Sequence, residues 1–334
     1  MIAPTIADAC NILSLFGISA SVSDVTILEK SVKPNKVRII CCINTDFKRK
    51  YVCRISNELN YPKELIEKQC EFAMYLYDNN IDTAKKYSYN GEYCRTLKLE
   101  SGCFLVTLED WIGKDRVLVT PEEYRMLGCL LGKMHSLSEK FTLKVGEGLI
   151  SRSIITGRAS FNNLLRQMNN PIHDSSVIER TAYKHDSLIS TLRENLHKLP
   201  SGTVHGDLSS FNNIVSIPYQ NNIVIIDFNL AGEEPYLFDV LVTFYSSINN
   251  LFQSSDDVLI ENYYTFFEGY SSVRKFNDVE LRLWACAAAL FDGLYFSKRM
   301  IRKYNLSNKA DNDTWLYKAA EHFDTKTHQP LSLV

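Results

Sequence analysis

Glycine is absent between Gly17 and Gly91, so this stretch holds no G-x-G-x-x-G loop to cradle a phosphate. The nine cysteines, an odd number, include no Cys-x-x-Cys pair. This disfavours a disulfide framework or a zinc site and fits a reducing cytosol, so the expected location is cytoplasmic. No apolar run reaches the roughly 18 residues that a membrane helix needs. The opening MIAPTIADAC has no basic flank leading into an apolar stretch, so neither a membrane span nor a secretory signal is expected. An excess of one charge is also lacking: 37 Lys and Arg against 39 Asp and Glu leave a net charge of −2. That offers no basic surface for nucleic acid or anionic lipid.

What is present is the composition of a globular enzyme, 45% hydrophobic and 23% charged over 334 residues, enough for about two domains. Val37–Ile43 and Lys50–Ile55 are rich in β-branched residues and flank the polar turn Asn44–Lys48, which predicts a hairpin. Pro62 opens a predicted helix running to about Tyr77. Two more strands are predicted near Tyr93–Leu99 and Cys103–Leu108. Helical periodicity then dominates Pro121–Ser138, Val177–Leu199 and most of Pro235–Tyr304, interrupted by the apolar runs Thr203–Val204 and Asn222–Phe228. The expected fold class is α+β and bilobal: a β-rich lobe with one helix over 1–112 and a helical lobe over 113–334.

The chemistry-bearing residues lie around those two apolar runs. Val204-His205-Gly206-Asp207-Leu208-Ser209-Ser210-Phe211-Asn212 is followed by Ile225-Ile226-Asp227-Phe228. Asp207 precedes Asn212 by a short loop, and Asp227 ends the second apolar run. Phosphoryl transfer from ATP calls for such a set: a carboxylate at the attacking hydroxyl, and an amide oxygen and second carboxylate holding Mg²⁺ against the phosphates. Asp207 is therefore the candidate base, with Asn212 and Asp227 the candidate metal ligands.

HGDLSSFN followed by IIDF resembles the signature of the aminoglycoside phosphotransferase, choline kinase and homoserine kinase-like family of small-molecule kinases. The resemblance covers most of the chain. Lys50–Ile55 resembles the family's strand bearing a phosphate-contacting cation, here Arg54. Leu105–Gly113 resembles its hinge, which places adenine against the backbone of Glu109, Asp110 and Trp111. Ile226 joins the residues expected at the nucleotide. Leu127–His135 is similar to the family's L-G-x-x-L-A-x-L-H helix, and Asp239 resembles its structural aspartate. The resemblance implies a protein-kinase-like fold and a structural rather than proton-transferring role for His205. It further implies ATP with Mg²⁺, GTP remaining open, and a small hydroxylated acceptor for a monomer or homodimer.

Departures from the family pattern concentrate in the first lobe. The turn over the phosphates falls to Ser31–Lys36 (SVKPNK), where Asn35 and Lys36 are available. Arg54 stands where protein kinases carry lysine, and an arginine fork is not a neutral exchange. On the helix that follows, Gln69 occupies the position where the family usually has glutamate, while Glu67 and Glu71 lie on the opposite side. The partner of Arg54 is left open among these three. A nucleotide-binding scaffold without turnover is the alternative that the missing glutamate supports.

Between Pro200 and Val273 there is no Lys or Arg but nine acids: Asp207, Asp227, Glu233, Glu234, Asp239, Asp256, Asp257, Glu261 and Glu268. The six outside the motifs are either a field attracting a cationic acceptor, such as an aminoglycoside or amino alcohol, or a solvated face. Asp174–Leu199 resembles a family insertion that can wall the acceptor pocket. Val279–Tyr304, with Trp284, Asp292 and Tyr295, is a second candidate wall, although Trp284 suits core packing better.

Overall fold

The structure is a computed structural model that describes residues 4–33, 36–57, 62–99, 102–113, 118, 120–155, 175–208, 214–217, 222–248 and 256–304. The chain divides into two compact units. The first comprises Met1–Lys114 with Leu143–Val145 and Val224–Asn229, and the second comprises Asp115–Thr142, Gly146–Ile223 and Leu230–Val334. The first unit thus takes in the strand end that carries Asp227.

The first unit is built on a five-stranded antiparallel sheet in the order β1-β2-β3-β5-β4. Its strands are β1 (Val22–Lys33), β2 (Lys36–Thr45), β3 (Lys50–Ser56), β4 (Arg95–Leu99) and β5 (Gly102–Asp110). The expected hairpin is present as β2 and β3, with Ile40 opposite Arg54. Alternation along the strands sorts the side chains onto two faces. Ile39, Cys41 and Ile43 of β2, Tyr51, Cys53 and Ile55 of β3, and Phe104, Val106 and Leu108 of β5 are buried in one cluster with Ala9, Ile12 and Leu13. Those last three belong to α1 (Ile6–Leu15), a helix the sequence reading did not anticipate. It starts from a capping box: Thr5 Oγ1 accepts from the Asp8 amide, and the Asp8 carboxylate accepts from the Thr5 amide. The intervening residues Arg38, Arg54, Thr107 and Glu109 are consequently on the opposite face. The expected helix after Pro62 is α2 (Lys63–Asp78), which buries Gln69, Cys70, Phe72, Ala73 and Leu76.

In the second unit, α3 (Pro121–Ser138) begins with a capping box between Thr120 and Glu123. It crosses α7 (Asp256–Ser271) closely: a Cβ on Gly128 would collide with the Phe266 carbonyl, and one on Gly269 with the Arg125 carbonyl. The glycines of Leu127–His135 are therefore packing residues. Around this crossing lie α4 (Leu149–Ile155), α5 (Ser175–Asn195), α6 (Tyr236–Ile248) and α8 (Asp278–Tyr304). Tyr124, Phe238, Phe244, Phe266, Phe267, Tyr270 and Trp284 form the fully buried aromatic core. Trp284 packs edge-on to Phe267 at 4.8 Å and to Phe276 at 5.1 Å, so it is a core residue and not a pocket wall. A short strand, β6 (Ser201–Val204), pairs antiparallel with β9 (Gly232–Pro235) and delivers the His205–Leu208 loop. Between them in sequence run β7 (Ile214–Ile217) and β8 (Asn222–Ile225), the latter passing into the first unit. Among the described residues, no helix is long and apolar enough to cross a membrane.

Candidate active site

Asp227 is held from both sides along the chain. Upstream, Ile225 donates to the Asp82 carbonyl at 2.8 Å and accepts from the Ala84 amide at 3.3 Å, pinning the end of β8. Downstream, Phe228 is buried edge-on to Phe72 of α2, and the Asn229 carbonyl accepts from Gln69 Nε2 at 2.8 Å. Between these anchors Asp227 adopts φ +65°, a left-handed conformation uncommon outside glycine, though Asp enters it more readily than most residues. Its carboxylate is thereby aimed at the polar face of the sheet. Two guanidiniums meet it there, Arg38 Nη2 at 3.3 Å from Oδ2 and Arg54 Nη1 at 3.1 Å from Oδ1.

Arg38 escaped the sequence reading. Its signal was the alternation of VRII in β2: Arg38 pairs with Ser56, two residues beyond Arg54, which places both cations on one face. The partner of Arg54, left open among three α2 residues, is none of them. Gln69 is spent on the Asn229 carbonyl, Glu67 accepts from the Tyr93 and Cys94 amides at 2.8 Å each, and Glu71 is exposed. The acid is Glu109 on β5, whose Oε1 lies 3.3 Å from Arg54 Nε and 3.2 Å from Nη2, while its Oε2 pairs with Lys86. Burial alone would raise the Glu109 carboxyl, but the Lys86 and Arg54 charges outweigh it and hold the group below its usual range.

The expected hinge needs one correction. The amide of Asp110 donates to the Lys85 carbonyl at 3.0 Å and that of Trp111 to the Lys50 carbonyl at 3.1 Å, so neither N–H is available to a base. The Glu109 side chain is committed to the ion pairs just described. The Asp110 carboxylate accepts from the Tyr87 hydroxyl at 2.7 Å. Ile226, half-buried, stands between the paired end of β8 and Asp227.

The second unit presents Asp207 on a different support. His205 and Leu208 on either side are fully buried, and Asp207 itself is half-buried. Gly206 has φ +81°, and a Cβ there would collide with the Leu230 carbonyl, so glycine is required. Its amide donates to Asp239 Oδ1 at 3.0 Å. The other oxygen of Asp239 meets His135 Nε2 at 3.0 Å, and His135 Nδ1 meets the Tyr270 hydroxyl at 2.9 Å. Arg274 closes this buried relay, contacting the Tyr270 hydroxyl at 3.0 Å and Glu280 at 3.0 Å. Asp239 thus braces the loop, as a structural aspartate would, and His135 braces Asp239. Burial lowers the His135 pKa despite Asp239, so its ring is neutral near pH 7. The Asp207 amide lies 3.4 Å from His205 Nδ1.

Three of the six acids in the block have partners within the fold. Glu233 accepts from the Thr203 hydroxyl at 3.0 Å, and exposed Glu268 pairs with Arg125 at 2.9 Å. Glu234 is buried and caps α4, accepting from the Ile150 amide at 2.6 Å and from the Ser151 amide and hydroxyl. Burial pushes its carboxyl up to about 7 against these hydrogen bonds. Glu261 is exposed. The expected turn Ser31–Lys36 is mostly strand, since Ser31, Val32 and Lys33 of β1 pair with Arg38, Val37 and Lys36 of β2. Asn35 and Asn212 lie outside the described residues, as do the side chains of Asp256, Asp257 and Tyr295.

For a metal, the described residues offer Asp227 alone from the expected pair, and no three His, Cys, Asp or Glu side chains gather among them. Its surroundings nevertheless suit a metal–phosphate group. Such a group brings a cation for the carboxylate and anions for Arg38 and Arg54, so each charge exchanges one opposite partner for another.

Residues 42–276 match the model of the phosphotransferase enzyme family. No curated protein sequence matches the chain significantly. Among solved structures, the fold is similar to an amicoumacin kinase in complex with AMP-PNP, Ca²⁺ and Ami, with TM-score 0.65, 16% identity, and 90% of this chain and 87% of that one covered. It is also similar to a microcompartment-associated aminopropanol kinase, with TM-score 0.63, 16% identity and coverage of 96% and 95%. An aminoglycoside phosphotransferase from Alicyclobacillus acidocaldarius follows with TM-score 0.61, 15% identity and coverage of 97% and 94%. The fold is therefore the α+β, protein-kinase-like one that the motifs imply. With the family model spanning well over half of its length, the chain belongs to the phosphotransferase enzyme family.

Proposed function

We propose that the protein is an ATP-dependent O-phosphotransferase acting on a hydroxyl of a small molecule. The observation that carries this reading is Asp227, held in the left-handed region at the end of an apolar strand and faced by Arg38 and Arg54. A carboxylate paired in this way beside two phosphate-binding forks is what a nucleotide's polyphosphate and its metal require. Asp227 and Asn212 would hold Mg²⁺, which supplies charge neutralisation at the phosphates when bound. Arg54, with Arg38 beside it and Asn35 in the link between β1 and β2, holds phosphate oxygens. Asp207 accepts or orients the proton of the acceptor hydroxyl, on a loop kept in place by Asp239 and structural His205. Adenine lies along the segment from Glu109 to Trp111 and against Ile226. Since the Asp110 and Trp111 amides are engaged, the donated hydrogen bond comes from Ile112 or Gly113.

The names aminopropanol kinase and aminoglycoside phosphotransferase point to an acceptor carrying both a hydroxyl and an amine. Glu233, Glu234 and Glu268 add little to this, since they already have partners. The alternative of a scaffold without turnover drew on the missing helix glutamate, and Arg54 has its acid in Glu109. The test is a Mg²⁺-dependent ADP-release screen with ATP and GTP over amino alcohols, aminoglycosides, sugars and homoserine-like alcohols. Stimulated release with one acceptor class supports the reading. A protein that binds neither nucleotide in the presence of Mg²⁺ would overturn it.

A further inference from the structure

We propose that Glu109 is the positioning residue for the Arg54 guanidinium, performing from strand β5 the task for which the family resemblance implies a carboxylate on the following helix. This rests on the reading of Arg54 as a phosphate-binding cation. Three observations meet here. The α2 side chains are excluded: Gln69 holds the backbone after Asp227, Glu67 holds the backbone amides of Tyr93 and Cys94, and Glu71 is exposed. The strand register then supplies the alternative. Arg54 is opposite Thr107 and Val52 is opposite Glu109, so Arg54 and Glu109 are diagonal neighbours on one face, within reach of two long side chains. Finally, the contact is buried and complete. Glu109 Oε1 takes both Nε and Nη2 of Arg54, and Lys86, itself buried, takes Oε2.

The consequence is mechanical. Nε and Nη2 fix the plane of the guanidinium from the β5 side and leave Nη1 directed to Asp227. Both residues belong to strands paired along their length, so the orientation of Arg54 follows the sheet and not the position of α2. Lys86 balances the second carboxylate oxygen, so Glu109 stays ionised in a site where a lone buried acid would take up a proton. The sheet thus holds a preformed fork for phosphate whichever way α2 is placed.

Removing Glu109 alone leaves buried Lys86 without its carboxylate and Arg54 with Asp227 as its remaining acid, which itself endangers folding. The main variant is therefore Lys86→Met combined with Glu109→Gln, with Glu109→Asp as the conservative comparison. Mg·ATP affinity by titration calorimetry and the rate of ATP hydrolysis would be measured for these variants, for Arg54→Ala, and for Arg54→Ala joined to the Lys86/Glu109 pair. The expected result is a loss of about tenfold or more in kcat/KM for ATP in the paired variant, partly restored in Glu109→Asp. Once Arg54 is alanine, the paired change should cost less than about twofold further, because a residue acting through Arg54 has nothing left to position. Losses that multiply in the Arg54→Ala background, or a paired variant equal to wild type, would overturn the proposal while leaving the kinase reading in place. A wild-type protein that binds no Mg·ATP would overturn both.

Discussion

The two candidate carboxylates are supported by opposite means. Asp227 is held by charge: Arg38 and Arg54 face it, Glu109 faces Arg54, and Lys86 faces Glu109, an alternating row of ions on one face of a sheet. Asp207 is held by hydrogen bonds around its backbone, from a relay in which Asp239 accepts from the Gly206 amide and meets a neutral His135. The contrast suits the two tasks. A residue that must meet phosphates and a metal gains from neighbours able to exchange partners with them. A residue that must present one oxygen to a hydroxyl gains from a loop that cannot shift. The charge partners of Asp227 are of the kind that can be exchanged, whereas the buried hydrogen bonds that brace Gly206 belong to the fold.

Four experiments break or sharpen this contrast, taken from the largest effect downward. Asp207→Asn should lower kcat by about 10²–10⁴-fold, the usual reach of general-base catalysis, while ATP affinity stays near wild type. Retention of more than about a tenth of the wild-type rate would count against the assignment. Asp239→Ala leaves the Gly206 amide and His135 without their shared acceptor, and a cost on the order of 3 kcal/mol is expected in denaturant unfolding. An unchanged unfolding midpoint would show that the relay does not brace the loop.

The third experiment varies pH. His135 has its pKa lowered in the folded state, chiefly by burial, from a reference value of 6.5. Below that value the unfolded chain binds a proton that the native ring resists. The stability linked to His135 is therefore present above about pH 6.5 and is lost as pH falls toward the folded pKa. Thermal melting should show the decline below pH 6.5, and His135→Asn should flatten it. A decline of equal slope in that variant would place its origin elsewhere. The fourth effect is the smallest. Glu268→Gln removes only the exposed pair with Arg125 and should change stability by less than about 1 kcal/mol. It should leave the KM for the acceptor nearly unaltered, and a large rise in that KM would restore the acidic block as a recognition surface.

Much of this was legible in the chain because it depends on local pattern. The β2–β3 hairpin announced itself through β-branched runs, α2 through Pro62 and its period, and the two loops through HGD and IIDF. What stayed hidden depends on pairing between distant segments. Strand β1 is an edge strand, exposed along most of its length, so VSDVTILEKSVK shows no clean apolar alternation. Strand β9 reads GEEP, poor strand material, and exists because it pairs with β6 while Glu234 caps α4. For the acid of Arg54 the sequence points to α2, at the family's position. Its identification as Glu109 required the β3–β5 register, which no single segment encodes. Lys86 depends on such distant pairing too, whereas the place of Arg38 follows from the alternation of β2 once its pairing with β3 is known.

The most direct test of the division of labour is calorimetric titration of ATP, with and without Mg²⁺, into wild type, Asp207→Asn and Asp227→Ala. The account requires that Asp207→Asn keep the Mg²⁺-enhanced affinity of wild type and that Asp227→Ala lose that enhancement. Equal metal dependence in the two variants would contradict it.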